Sequence, residues 1–265
     1  MTTAHVVEPV TTATTIPEIA PVTGGRFKWL RRLLPLIVVG LVLVALFVWL
    51  SQLQLDSIEE RTLNPDYIIA RVREHLVLTI TASALVAVLA IPAGIAVAKS
   101  RSRIFRGVII GLANIGQATP AVGVVILLAI VWQTGFATAL IALVAYSFLP
   151  VLRNTMAGLE SVEPSVRESA KGMGMTGAQS LWRIELPLAS PVIIAGLRTA
   201  LVFCVGVATI ATFINAGGLG DMIVNGLKLQ RYPVLFTGAV LVASIAVLID
   251  WFAGLIEDFV KPKGL

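Results

Sequence analysis

Charge is scarce in this chain. Only 13% of its 265 residues are Asp, Glu, Lys or Arg, against about 25% in an ordinary soluble domain. Hydrophobic residues make up 57%, and the mean hydropathy is +0.92. A water-soluble fold is excluded, and the chain reads as one integral membrane domain. Cysteine is nearly absent. Cys204 stands alone, which rules out an internal disulfide and a multi-cysteine metal site. Lying in an apolar run, it reads as a small packing residue. Two histidines, His5 and His75, are far apart. No GxxxxGK[ST] occurs, and Gly is nowhere followed by Lys, so a phosphate-cradling loop is missing. HExxH and GxSxG are missing too, as is a close carboxylate pair within an apolar run. We therefore expect no catalytic residue, metal or cofactor on this chain, and an energy source elsewhere.

What is present is a succession of long apolar runs. Residues 1–25, rich in Thr, Val, Pro and Ala and without Lys or Arg, read as a disordered tail; residues 26–265 form the membrane domain. The first span, Leu33–Leu50, follows the cluster Arg26, Lys28, Arg31, Arg32. Its length as a helix is about 27 Å, enough for a bilayer core. Its exit, Trp49-Leu50-Ser51-Gln52, does not resemble a signal cleavage site, so the span is retained. Five more spans are expected near residues 76–98, 107–131, 136–151, 191–214 and 234–256. Ser190-Pro191 reads as the cap and first position of the fifth. The architecture is thus all-α with six transmembrane helices.

Orientation follows from the basic residues. With the N-terminus inside, fourteen Lys and Arg fall on inner segments and five on outer ones. Both termini and the long segment 160–187 are then cytoplasmic. The net charge of +5 sits in short clusters between spans, which points to a membrane surface and not to nucleic acid. Trp49 and Trp132 fall at outer span ends and Trp251 toward the inner end of the sixth, as an aromatic belt expects. His75, at the outer end of the second span, reads as an interfacial residue with a hydrogen-bonded ring.

Several polar residues interrupt the spans. Asn114, Gln117 and Thr119 precede Pro120, which frees the carbonyl at Gly116. A broken helix at bilayer depth lines a cavity or packs in protein; these four residues read either as pathway lining or as polar contacts between helices. Gly217, Gly218 and Gly220 follow the fifth span on the outer side, as a turn. Arg198 and Asp250 are the two charges inside spans. A lone charge at a span centre costs about 2.5–3.5 kcal/mol on insertion scales. Similar depth and opposite sign predict a structural ion pair between them.

The segment Glu163–Pro187 is mixed in character and reads as two short helices. Pro164 suits a first helical position, and Val166, Ala170 and Met173 recur at helical spacing. Gly172 and Gly174 stop that helix. Thr176 and Gln179 have capping-box spacing, Leu181, Trp182 and Ile184 form the apolar side of the second helix, and Pro187 ends it. From pattern alone this is an amphipathic hairpin on the membrane surface.

Within it stand Glu168-Ser169-Ala170, three residues, Gly174, nine residues, then Ile184-Glu185-Leu186-Pro187. This resembles the EAA-x3-G-x9-I-x-LP loop of ABC importer permeases, with Ser169 in place of alanine. A longer stretch, GMGMT, then AGLRTA, ATIA and AGGLG in that order, is similar to the permeases for osmoprotectants such as glycine betaine, choline or carnitine. A methionine-type permease shares AGGLG and the loop but usually lacks GMGMT; a membrane scaffold or channel without an ATPase is the alternative from another class. The resemblance implies the type I importer fold in the bacterial inner membrane. It makes Glu168, Ser169, Ala170, Gly174, Ile184, Leu186 and Pro187 a coupling loop that docks on an ATPase. It places Gly217, Gly218 and Gly220 near an outer gate. Implied partners are ATPase subunits that carry ATP and Mg, a second permease subunit, identical or related, and an extracytoplasmic substrate-binding protein.

The predicted topology is testable at Ser57. In a Cys204→Ala background, Ser57→Cys should react with an impermeant thiol reagent in intact cells. Labelling only after the cells are opened would reverse the orientation.

Overall fold

The computed structural model describes residues 28–260. The expected tail, residues 1–25, lies outside the described residues, as do Arg26, Lys261 and Lys263. Every regular element described is helical. No water in a bilayer core can satisfy a free amide, so a spanning segment closes its own hydrogen bonds.

Helix α1 is Lys28–Ser51, the short α2 is Ser57–Thr62, and α3 is Pro65–Lys99. Then come α4 (Arg103–Ala118), α5 (Ala121–Val131) and α6 (Phe136–Glu160). Helices α7 (Pro164–Gly172) and α8 (Gly177–Ser180) form the hairpin. A π turn at Leu181–Glu185 leads into α9 (Leu186–Ala208), and a 3-10 turn at Thr209–Ile214 closes it. Last are α10 (Gly220–Lys228) and α11 (Tyr232–Val260). Five of these segments are long and apolar enough to cross a membrane, and six if α4 and α5 count as one span.

Two expectations are corrected. The third span is two helices bent by 100°. Pro120 has no N–H to continue α4, Thr119 takes the extended conformation usual before proline, and its N–H and hydroxyl both close on the Ile115 carbonyl (3.1 and 2.7 Å). The second correction concerns the fifth span. It does not begin at Pro191, nor does Pro187 end the hairpin's second helix. The helix runs unbroken through 38 residues, Gly177–Ile214. Pro187 sits in the first turn of α9, where the π turn precedes it. Pro191 removes the helical partner of the Pro187 carbonyl, and the Ser190 hydroxyl donates to that carbonyl at 2.8 Å. Proline at these positions is absorbed because neighbouring groups restore the missing bonds. The other spans also outrun their apolar runs. Asn64 caps α3 twelve residues before Leu76, and α6 continues through Pro150 to Glu160.

Helices α3, α6 and α9 make the centre, meeting at small residues. A methyl added to Gly94 would lie 2.6 Å from Thr155 Cβ, one on Gly158 3.0 Å from the Ala189 carbonyl, and one on Gly196 2.4 Å from Asn154 Cβ. Apolar attraction between helices is weak in lipid, so such close backbone approach supplies the contact. Leu78, Ala82, Leu143, Cys204 and Ala208 fill one layer, and Val86, Ala90, Val151 and Ala200 the next. Helix α1 packs on α11: Trp49 meets Phe236 edge-on, Trp251 Nε1 donates to the Arg32 carbonyl, and Arg32 pairs with Asp258. Its other faces, with Leu41 and Phe47, are exposed as lipid contact requires.

Gly196→Leu should lower the melting temperature of the detergent-solubilised protein, because overpacking costs about 1–3 kcal/mol. Gly111→Ala, where nothing lies within 4 Å of the added carbon, should leave it unchanged.

Candidate functional site

The hairpin α7–α8 is built by its caps. Pro164 occupies the first turn of α7. At the other end Gly174 has φ +79°, Met175 N–H donates to the Ala170 carbonyl (3.1 Å), and Gly174 N–H donates to the Lys171 carbonyl (2.9 Å). This is a complete Schellman closure with glycine at its left-handed position. Gly172 is simply the last helical residue. The Thr176–Gln179 capping box forms in both directions, at 2.9 and 3.3 Å. Ala170 is buried, whereas Glu168, Ser169 and Gly174 are exposed. Ile184 and Leu186 are half-buried, and Pro187 is exposed.

Met173 and Trp182, expected on the apolar side, are instead turned outward, 67% and 70% exposed. Leu181, Ile184 and Glu185 occupy the inward positions by their i, i+3, i+4 spacing, and Trp182 falls one residue off that line. The hairpin and the π turn that follows it therefore expose a carboxylate (Glu168), a thioether (Met173) and an indole (Trp182).

Glu185 was missed by the sequence reading. It is buried, and Lys99 Nζ from the end of α3 donates to both its oxygens (2.7 and 2.6 Å). The Ser180 hydroxyl donates at 3.2 Å, and Arg167 Nε stands 3.5 Å away. Arg167 Nη2 also donates to the Leu159 and Val162 carbonyls (2.6 and 2.8 Å), stapling α7 to the end of α6. One signal was available: an acid in an otherwise apolar helix start, with a lysine closing an earlier span. The 86-residue separation hid the pairing.

The polar residues of the bent pair are distributed along it. Asn114 accepts from Arg153 Nη2 of α6 at 2.8 Å. Gln117 and Thr119 are half-buried and Pro120 is exposed at the bend. Gly116 lets α4 approach the α6 backbone, since its Cβ would fall 2.8 Å from the Ala145 carbonyl.

At the opposite end of the bundle, Gly217 and Gly218 have φ +78° and +93°. Gly218 N–H donates to Glu74 Oε2 (2.9 Å), and a methyl on Gly217 would strike that same oxygen at 2.4 Å. Gly220 lies under the Thr209 carbonyl, 2.0 Å from where its Cβ would be. Arg71 bridges Glu74 (2.9 Å) and Asp221 (2.8 Å), and the Thr212 hydroxyl also bonds Asp221. The turn is thus gripped by α3 through residues that the sequence reading left out. Arg71 and Glu74 lie one helical turn apart, and Asp221 directly follows the glycines; that arrangement was the available signal.

His75 departs from the expected exposed, hydrogen-bonded ring: it is fully buried within the protein, and neither ring nitrogen makes a hydrogen bond of normal geometry among the described residues. It shares one face of α3 with Thr79 and Ser83 at i, i+4, i+8, and that face points into the bundle. Cys204 packs inside, with its thiol 3.2 Å from the Ser147 hydroxyl.

Arg198 and Asp250 meet as a two-point pair, Nε to Oδ1 and Nη2 to Oδ2, the second at 2.6 Å. Glu257, two turns beyond Asp250, adds a third contact at 3.4 Å to Nη1. The pair ties α9 to α11 and leaves no isolated charge on either.

Comparison with known proteins agrees with this arrangement. A family described as "Binding-protein-dependent transport system inner membrane component" matches residues 90–262. The chain is similar to the glycine betaine/carnitine/choline transport system permease protein OpuCB of Bacillus subtilis, 38% identical over 202 residues, or 76% of this chain and 92% of that one. It is 35% identical over 227 residues to the osmoprotectant import permease protein OsmY of Salmonella typhimurium, covering 84% and 94%. Among solved structures, the MetNI methionine ABC transporter in an inward-facing conformation matches with TM-score 0.67 at 20% identity, covering 77% of this chain and 99% of that one. A bacterial alginate ABC transporter matches with TM-score 0.60 at 19% identity, covering 89% and 96%. These last two likenesses concern the fold.

Arg198→Ala and Asp250→Ala should each lower the yield of folded protein, since each leaves the partner's charge inside the span. The exchange Arg198→Asp with Asp250→Arg should recover more than Arg198→Asp alone, measured by monodisperse yield after solubilisation.

Proposed function

The chain belongs to the inner-membrane components of binding-protein-dependent transport systems, and from that premise we propose that it is the permease subunit of an ATP-driven importer for quaternary-ammonium osmoprotectants. Glycine betaine, choline and carnitine, named for the relatives, share a trimethylammonium head. The observation that carries the reading is the exposed hairpin, with Glu168 and Met173 on its first arm and Trp182 on a helix that continues without a break into the span α9. A charged and apolar surface rigidly joined to a span suits a docking surface that passes on motion.

On this reading ATP and Mg reside on separate ATPase subunits, which grip the hairpin. Nucleotide-driven closure tilts it, and α9 carries the tilt across the membrane. The pathway opens alternately toward each side, with Asn114, Gln117 and Thr119 at the bend along its wall and the Gly217–Gly220 turn near its outer mouth. A second permease subunit completes the pathway, and an extracytoplasmic binding protein delivers the substrate. The hairpin and both termini face the cytoplasm of an inner membrane. A methionine permease is less favoured, because the methionine likeness is one of fold at 20% identity, whereas the relatives at 34–38% are osmoprotectant permeases.

The reconstituted complex with its ATPase and binding protein should import a labelled trimethylammonium compound at the expense of ATP. Gly174→Val should abolish binding-protein-stimulated hydrolysis while the protein still inserts, because a β-branched residue at φ +79° is strained. Gly174→Asn should retain more activity, since asparagine tolerates that conformation. The site has open space around it, so the difference reads backbone conformation and not bulk. Normal stimulation in the valine variant would sink the coupling role.

A further inference from the structure

Two ion-pair clusters lie at opposite ends of the same helix. The inner end of α3 carries Lys99, bonded to both oxygens of the buried Glu185 at the foot of α9. Its outer part carries Arg71 and Glu74, which hold Asp221 and the Gly218 N–H just past the head of the α9 segment. Helix α3 has 35 residues, about 52 Å at 1.5 Å per residue. The helix from the hairpin to the outer turn has 38. These two rods therefore join the same two places, one through the continuous chain and the other through charge.

We propose that α3 is a second connecting rod between the coupling hairpin and the outer turn, with Lys99–Glu185 as its inner clamp and Arg71–Glu74 with Asp221 and Gly218 as its outer clamp. The inference rests on the importer reading above and names positioning residues that the signature loop does not contain. The clamps are suited to the task. Glu185 is buried, and the half-exposed Lys99 reaches in to bond both its oxygens. Its position within the π turn ties it to the part of the chain that an ATPase would move. At the far end the Glu74 carboxylate binds the Gly218 N–H directly and lies so close to Gly217 that it occupies the place of a Cβ, which holds the turn against α3. Between the ends, Val86 and Ala90 of α3 pack with Ala200 of α9, which keeps the rods side by side. With both clamps closed, tilt at the hairpin displaces both rods together. With the inner clamp open, α9 moves and α3 lags, and the outer turn is held back by its grip on α3.

Lys99→Met tests this in the reconstituted complex with ATPase and binding protein. Glu185 keeps Ser180 and Arg167 in that variant, so the hairpin retains its own contacts. ATP hydrolysis should continue while substrate imported per ATP falls at least about fivefold, the lower end of typical coupling between sites. Lys99→Arg should restore the ratio. Spin labels at Gln133 and Asn225, both exposed at the outer end, should report an ATP-dependent distance change in wild type that shrinks in Lys99→Met. A loss of hydrolysis and import together, in proportion, would mark a merely structural role and overturn the proposal. So would a wild-type distance change that persists in Lys99→Met. Absence of any ATP-dependent import by the wild-type complex would overturn the importer reading along with it.

Discussion

Backbone hydrogen bonding away from water governs this molecule. Each carbonyl and amide at bilayer depth must be satisfied within the protein, and the departures from straight helix show how strictly that holds. Where Pro191 deprives the Pro187 carbonyl of its partner, a serine hydroxyl takes over. Where Pro120 stops α4, Thr119 closes the last turn with two groups on one carbonyl. The helices then come together at glycines and alanines, because only short side chains let these self-satisfied rods approach closely. Charge is admitted where it is matched, as at Arg198 with Asp250 and Glu257.

The surfaces proposed for coupling and for the outer mouth lie at the two ends, where that constraint relaxes. At one end the hairpin combines a rigid closure, the Schellman turn at Gly174, with an exposed tip. At the other, glycines let a turn pass tightly beneath the end of α3. In both places a buried or half-buried carboxylate gathers local and distant partners: Glu185 from α8, α7 and α3, and Glu74 from its own helix and the glycine turn. These clusters give the ends defined positions relative to the spans, which a transporter that moves in discrete states requires.

Much of this was legible in the sequence. Apolar runs of bilayer length located the spans, and local signals such as Thr176 with Gln179 and Gly174 located the hairpin turns, because each depends on residues a few positions apart. The meeting of Arg198 and Asp250 could be anticipated because adjacent antiparallel spans fix relative depth. Helix ends were less legible. Pro187 and Pro191 read as breaks, since the sequence alone does not reveal that a π turn and Ser190 accommodate them. The bend at Pro120 was visible as an interruption, but its 100° angle depends on packing against α6 and the 3-10 turn. Contacts between elements that do not follow one another in the chain were not anticipated, as with Lys99 to Glu185 and Arg71 to Asp221, nor was the burial of His75. No local spacing encodes them, and they follow only once α3 is set between its neighbours.

The seating of α1 on α11 has a consequence of parity. The family match begins at residue 90 and ends at residue 262, and α3 through α11, with the bent pair counted as one span, hold five segments long and apolar enough to cross. An odd number of crossings leaves the two ends of a chain on opposite faces. One further helix makes the number even, and the contacts of Arg32 with Asp258 and Trp251 bring the start of α1 beside the close of α11. In the proposed orientation, a passenger joined ahead of α1 and one joined after α11 share a compartment with the hairpin. The outer turn would remain the molecule's face toward the other side.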